Sequence, residues 1–366
     1  MSTPKVLALA LLLLLLFSCK PDEREVFRGK RNGRPFQKII VTKFDSDGNK
    51  SSRIIQGFDY VPEFKTWIPV GAPRDILNGD SKAELANLTG YQGDASNPPN
   101  SASITTPAYV YIADNSGNNT VIVIDARTLA PVSRILVPGL TSSLAASPDG
   151  LTIAAPSANQ LILIDVLTNR IARSLALPSG SSVQSIHYSS DGTLLYLIDR
   201  AAGIRIVQVA SLTTVEVIPM PSAFAQFDSS AMSPDGDYLF IRGGGPTSTL
   251  IFDITTRSFT VGANTGRAFL FSQIPCVFHS TGKEVYCVST DGIAIIDTAT
   301  MTLAGSIAIP RGESVYRLYT VDGGDYLLHT TDRAVRMIDP ASRQILASLS
   351  PGTREVFTTA YPVSIF

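Results

Sequence analysis

Residues 182–218 read SVQSIHYSSDGTLLYLIDRAAGIRIVQVASLTTVEVI, and the punctuation of this stretch decides the fold. Four runs rich in Val, Ile, Leu, Thr and Tyr occur in it: Val183 to Tyr188, Leu194 to Ile198, Ile204 to Gln208 and Thr214 to Ile218. Each has the length of a strand and is bounded by Ser, Asp, Gly or Thr. None carries the 3.6-residue recurrence of an amphipathic helix. Ser189-Ser190-Asp191-Gly192 separates the first two runs, and the third ends on Gln208 with a hydroxyl, Ser211, three residues on. The stretch predicts one four-stranded antiparallel sheet.

Both markers recur along the chain at about 40 to 45 residues, the spacing of blade-like repeats. The Gly-ended turn returns as Ser147-Pro148-Asp149-Gly150, Ser233-Pro234-Asp235-Gly236, His279-Ser280-Thr281-Gly282 and a degenerate Val321-Asp322-Gly323-Gly324. The strand ending in a carboxylate with a hydroxyl three residues on returns as Asp125/Thr128, Asp165/Thr168, Asp253/Thr256, Asp297/Thr300 and Asp339/Ser342. One acid per repeat also suggests a ring of acidic ligands. A site, however, needs unlike residues to converge, whereas a turn needs the same residue in every copy. Asp149, Asp191 and Asp235, with Asp125, Asp165, Asp253, Asp297 and Asp339, are therefore read as turn residues bonding local backbone N–H groups. A four-stranded antiparallel unit copied around an axis is the blade of an all-β propeller, whose radial closure protects strand edges.

The stretch YVYIADNSGNNTVIVIDARTLAPVSRILVPG, followed by SLAASPDGLTIAA, resembles the YVTN-type β-propeller repeat of surface-layer and other exported prokaryotic proteins. The resemblance spans about Pro107 to Ser350 and implies a fold, not an activity; related propellers include lactone hydrolases and heavy chains of amine dehydrogenases. Five complete blades are expected from about Thr141 to Pro351. Tyr109 to Val137 supplies three strands of another, and the tail strand Val356 to Tyr361 is expected to complete it and fasten the ring shut. Within residues 37–106, the hairpin KIIVTKFDSDGNKSSRIIQGF and TWIPVG, with the single Trp67, precede a polar linker. Combined with Val363 to Phe366 they would make a seventh blade. Seven blades are favoured over six, with residues 107–366 as the propeller proper.

Residues 1–18 read as a secretory signal: Lys5, then an apolar run from Val6 to Phe17, shorter than the roughly 20 residues of a membrane span. Leu16-Phe17-Ser18-Cys19 resembles the bacterial lipobox, which makes Cys19 the lipidation site, although Phe17 is bulky where that motif is usually small. Ordinary cleavage near Ser18 is the alternative. Residues 19–36, dense in both charges, read as a flexible tether. The expected address is the exported bacterial cell envelope, lipid-anchored at the outer membrane or periplasmic face. A net charge of −1 carries no nucleic-acid or polybasic membrane signature. In CVFHSTGKEVYC an even-length hairpin loop sets Cys276 opposite Cys287, where a disulfide and two buried free thiols both remain open.

Chemical motifs are sparse. Asp45, Asp47 and Asn49 in DSDGNK suggest a calcium loop, but Lys50 and Gln56 stand where Gly and Glu are required, so a hairpin turn is the better reading. His187, His279 and His329 occupy different repeat positions, and no HExxH, CxxCH, GxSxG or P-loop spacing occurs. The triple glycine of RGGGPTS has no following helix to make it a phosphate cradle. No catalytic residue, metal or cofactor is assigned. Antiparallel alternation puts both repeated turns on one rim, and irregular loops on the other. Those loops bring together Arg200, Arg242, Arg267, Arg311, Arg317 and Arg333 with Asp114, Asp199, Asp291, Asp332 and Glu313. They are either solvated salt links or the seat of an anionic or mixed-charge ligand. The expected function is a membrane-anchored, non-catalytic binding or scaffold module for a protein, peptide or glycan. A lactonase-like or dehydrogenase-subunit enzyme and a surface-layer or envelope assembly component are the alternatives.

Overall fold

The computed structural model describes residues 38–47, 50–61, 66–75, 103–105, 109–114, 119–125, 130–141, 143–224, 227–243, 249–262, 276–289, 292–310, 313, 315–321, 325–331, 333–350 and 355–363, with the backbone alone before Tyr109 and after Ser350. Three strands open the chain: β1 (Lys38–Asp47), β2 (Lys50–Val61) and β3 (Thr66–Asp75). Six blades of four consecutive strands follow. The first is β4 (Ser103–Thr105), β5 (Tyr109–Asp114), β6 (Thr120–Asp125) and β7 (Pro131–Leu136); the second is β8 (Ala145–Ala146), β9 (Thr152–Pro156), β10 (Gln160–Asp165) and β11 (Arg170–Ala176). The third is β12 (Val183–Tyr188), β13 (Leu194–Asp199), β14 (Gly203–Gln208) and β15 (Thr213–Ile218); the fourth is β16 (Phe227–Met232), β17 (Tyr238–Gly243), β18 (Thr249–Asp253) and β19 (Ser258–Val261). The fifth is β20 (Cys276–Phe278), β21 (Glu284–Ser289), β22 (Gly292–Asp297) and β23 (Thr302–Ile307); the sixth is β24 (Val315–Val321), β25 (Tyr326–Thr331), β26 (Val335–Asp339) and β27 (Gln344–Leu349). The last strand, β28 (Glu355–Val363), returns to pair with β1 in a sheet of order β28-β1-β2-β3.

Two expectations about the ends are corrected. The Tyr109–Val137 blade takes its innermost strand from Ser103–Thr105, opposite Val110 to Ile112, and the C-terminal tail does not complete it. A strand a few residues upstream closes a short loop at little entropic cost, whereas the tail would have to return across the whole chain. The tail finds a longer partner, from Lys38 opposite Val363 to Asp45 opposite Glu355. The blades made of consecutive strands therefore number six, the count held as the alternative. DSDGNK is a hairpin turn, with Asp47 opposite Lys50.

The core is divided between neighbouring blades because side chains alternate across each strand. On β13, Leu195 and Leu197 pack towards the second blade with Leu161 and Leu163, while Tyr196 and Ile198 pack towards the fourth with Leu239 and Ile241. Second and third strands are buried on both faces; fourth strands such as β15 are exposed along nearly their whole length. Cys276 and Cys287 face each other on β20 and β21 and are joined by a disulfide, with Cα atoms 4.2 Å apart.

The repeated acids act within their turns. Ser147, Ser189 and Ser233 each donate an Oγ–H to Asp149, Asp191 and Asp235 at 2.5 Å, and Leu151, Thr193 and Asp237 add backbone N–H bonds. Asp165, Asp253 and Asp297 accept the backbone N–H of Thr168, Thr256 and Thr300 at 2.7–2.8 Å, and Asp339 accepts that of Ser342 at 3.2 Å. These bonds stabilise the ionised form and hold the carboxyls of Asp149, Asp165, Asp191, Asp235, Asp253 and Asp297 below the ordinary 3.8. Gln208 cannot take this role, and in its blade Ser211 and Thr213 bond each other at 2.7 Å.

One residue beyond the hydroxyl, the chain enters the left-handed region with a non-glycine residue: Asn169, Leu212, Arg257, Met301 and Arg343, at φ between 52° and 58°. That conformation turns the side chain towards the preceding blade. Asn169 accepts from the Tyr111 hydroxyl at 2.6 Å, Arg257 pairs with Glu216 at 3.5 Å, and Arg343 donates to Ala304 O at 3.3 Å. Leu212 and Met301 bury apolar surface in the same direction. The Gly-ended turns make a second joint. A Cβ on Gly192 would stand 3.3 Å from Pro148, and one on Gly236 3.0 Å from the Ser190 hydroxyl, so these two glycines receive the second residue of the turn before them.

Candidate functional site

Three successive innermost strands, β8, β12 and β16, with the Gly-ended turns that follow them, line an open cavity of about 570 Å³. It opens on the turn rim, since Pro148, Ser190, Pro234 and Gly236 stand at its mouth. Its volume lies within the roughly 300–1,000 Å³ of small-molecule sites. Alternation on β12 explains the lining: Val183, Ile186 and Tyr188 are buried, while Ser185 and His187 take the half-buried face. Ser230 on β16 meets both across the blade boundary. Its Oγ is 2.5 Å from Ser185 Oγ and 2.7 Å from His187 Nε2.

Burial pushes His187 down to about 4, so its ring is neutral at pH 7. A neutral imidazole offers one N–H and one lone pair, and the Ser230 hydroxyl supplies the complementary role for either tautomer. Ser185, Ser230 and His187 thus form a relay in which Ser230 donates to one neighbour and accepts from the other, and every member is able to play either part. Among the described residues, no charged side chain lines the cavity. The carboxylates at its mouth are engaged by their own turns, as described above. A Ser beside a His also has the form of a nucleophile and its base, but such a base needs an orienting third group and a pKa near neutrality. Desolvation is the sole influence on His187, and it weakens the base.

The cavity lies on the turn rim, not on the rim of irregular loops to which the sequence assigns the charged set. On the opposite rim, Arg242 and Arg200 work as joints between blades. Arg242, only 1% exposed, donates to Val288 O of the fifth blade, and Arg200 donates to Phe227 O of the fourth at 2.9 and 3.3 Å. Asp199 is fully buried; it accepts the N–H groups of Ser182 and Ala201, both at 2.9 Å, with Arg205 at 3.9 Å. Arg242 and Asp199 are therefore withdrawn from any solvent ligand, because the ends of β17 and β13 pack between blades. Glu313 holds Arg336 through two bonds of 2.6 and 2.7 Å and accepts from Thr331 at 2.6 Å. His329 is buried beside them, pushed down to about 3 by desolvation and by the Arg336 charge. Arg333 is exposed. Arg317 and Asp114 are described by backbone alone, and Arg267, Arg311, Asp291, Asp332 and Cys19 lie outside the described residues.

A smaller groove of about 390 Å³ runs between the fifth and sixth blades on the turn rim. Its polar groups are largely engaged: Tyr286 donates to Glu284 at 2.6 Å, Arg343 reaches Ala304, and Asp339 caps its own turn. His279 takes the place of serine in its turn, with Nδ1 2.8 Å from Thr281 Oγ1.

No protein-family model matches this sequence, and a comparison with curated proteins finds no match. Among solved structures, hydrazine synthase from Kuenenia stuttgartiensis aligns with a TM-score of 0.56 at 18% identity, over 69% of this chain and 79% of that one. The fold is a β-propeller. At that identity the likeness carries the architecture and no chemistry, since sites are grafted on folds.

Proposed function

We propose that the protein is an exported, lipid-anchored envelope protein whose propeller is a non-catalytic binding module with its ligand seat in the axial funnel of the turn rim. The observation that carries the seat is the Ser185–Ser230–His187 relay at the junction of two blades, in a cavity with no charged side chain among its described lining residues. The apolar run from Val6 to Phe17 and the Cys19 that follows support the address. Multiple acyl chains on Cys19 would hold a domain stably at a membrane surface. The repeat is assigned to the YVTN type on the stretch from Tyr109 to Ala155. The sheet β28-β1-β2-β3 is proposed as a seventh blade, supported by contacts of β28 with β24 on one side and β4 on the other.

The test uses immobilised wild-type protein and envelope extract. Ser185→Ala with Ser230→Ala should lose the retained ligand, while Arg200→Ala with Arg333→Ala should keep it. The reverse pattern would move the seat to the opposite rim. A hydrolytic reading has one supporting observation, the 2.7 Å contact between His187 Nε2 and Ser230 Oγ. A fluorophosphonate probe labelling Ser230 stoichiometrically would establish it over the binding reading.

A further inference from the structure

Resting on the funnel as the ligand seat, we infer that its ligand is an uncharged glycan, recognised through the hydroxyls of Ser143, Ser185 and Ser230 and the imidazole of His187. A sugar hydroxyl is at once a donor and an acceptor, and so is every member of the relay. Either can reverse its polarity to suit the other. Among the described lining residues a carboxylate or phosphate would find no cation, and an ammonium group no carboxylate.

Apolar surface alternates with the hydroxyls. Ala146, Met232 and the rings of Pro148 and Pro234 line the same cavity and suit the C–H faces of a pyranose. Tyr188, 8% exposed, lines the same wall. An extended peptide would present N–H and C=O groups of fixed polarity at strand spacing, which suits a row of backbone groups better than a cluster of hydroxyls.

The experiment is calorimetric titration of the mature protein with neutral di- and trisaccharides of glucose, mannose, galactose and N-acetylglucosamine. N-acetylated, amidated pentaalanine and a sulfated glucosamine trisaccharide are run beside them. At least one neutral saccharide should bind with a Kd below about 1 mM. Ser185→Ala and Ser230→Ala should each weaken it by about tenfold, with the unliganded melting midpoint held near wild type. Tighter binding of the sulfated sugar would overturn the uncharged class, and binding of pentaalanine alone would replace glycan by peptide while the seat stands. Silence from every probe would also overturn the glycan inference, leaving the funnel to be judged by extract retention. Saccharide binding indifferent to both substitutions would remove the funnel as the seat.

Discussion

Gly203→Ala should destabilise the protein far more than Gly150→Ala, although both replace a glycine in the positive-φ region by the same methyl group. Gly150, at φ +70°, has nothing within 4 Å of where a Cβ would stand, so the substitution adds the left-handed penalty alone, about 1–2 kcal/mol. Gly203, at φ +99°, opens β14 under the end of β15. Its Cβ would lie 2.2 Å from Ile218 O and 2.7 Å from Met220 N. A comfortable carbon–oxygen contact is about 3.3–3.6 Å, so the carbonyl must retreat by about 1.2 Å. That breaks the pairing of Ile204 with Ile218 at the blade edge and forfeits about 1 kcal/mol for the bond, besides the strain. The sum is about 3–4 kcal/mol, against about 1–2 for Gly150. At about 2 °C per kcal/mol for a chain of this length, melting midpoints followed by far-UV circular dichroism should fall by about 3 °C for Gly150→Ala and about 7 °C for Gly203→Ala. Equal falls would mean that the β14–β15 approach is looser than the structure has it, and would refute the reasoning.

Acid should destabilise the protein in two stages. His187 and His329 fold at about 4 and about 3 against an ordinary 6.5, so the unfolded chain binds more protons and stability is lost as pH falls from 6.5 towards 4. The turn carboxylates, depressed below 3.8, add their loss only beneath that value. His187→Gln should remove part of the first stage in a series of melting midpoints against pH, and Asp191→Asn part of the second. Glu313→Gln should cost about 3–5 kcal/mol by leaving buried Arg336 unpaired, and Glu313→Leu with Arg336→Met should cost less, read by a double-mutant cycle in urea. Cys276→Ser with Cys287→Ser should cost about 2–3 kcal/mol for a closed loop of sequence separation 11, with a reductant producing the same fall in the native protein.

What the sequence could reveal was whatever repeats for a local reason. Asp165 and Asp297 bond residues three places away, so their role is written in one copy and confirmed by the others. Joints between blades are local in neither partner. Asn169, Leu212, Arg257, Met301 and Arg343 share a backbone conformation and a task but no chemistry, and only their common offset from the preceding hydroxyl could have betrayed them. Innermost strands are faint for a related reason. With one paired edge and one face towards the axis, Ala145–Ala146 and Ser103–Thr105 need neither length nor a β-branched run. That faintness also hid the funnel. Ser185 and His187 read as polar interruptions of an apolar strand, and nothing in the chain announced that Ser230, in the next repeat, stood across from them.

The contact of each turn's second residue with the next turn's glycine also bears on how such a chain could grow. The third and fourth blades each carry both halves of this coupling, a projecting Ser190 or Pro234 and a bare Gly192 or Gly236 that receives Pro148 or Ser190. A copy spliced between two existing units would meet compatible surfaces on both flanks with no new contact to be invented. The same interchangeability leaves individuality to the axis-facing residues, where Ser185, His187 and Ser230 differ from their counterparts in other units without disturbing any joint.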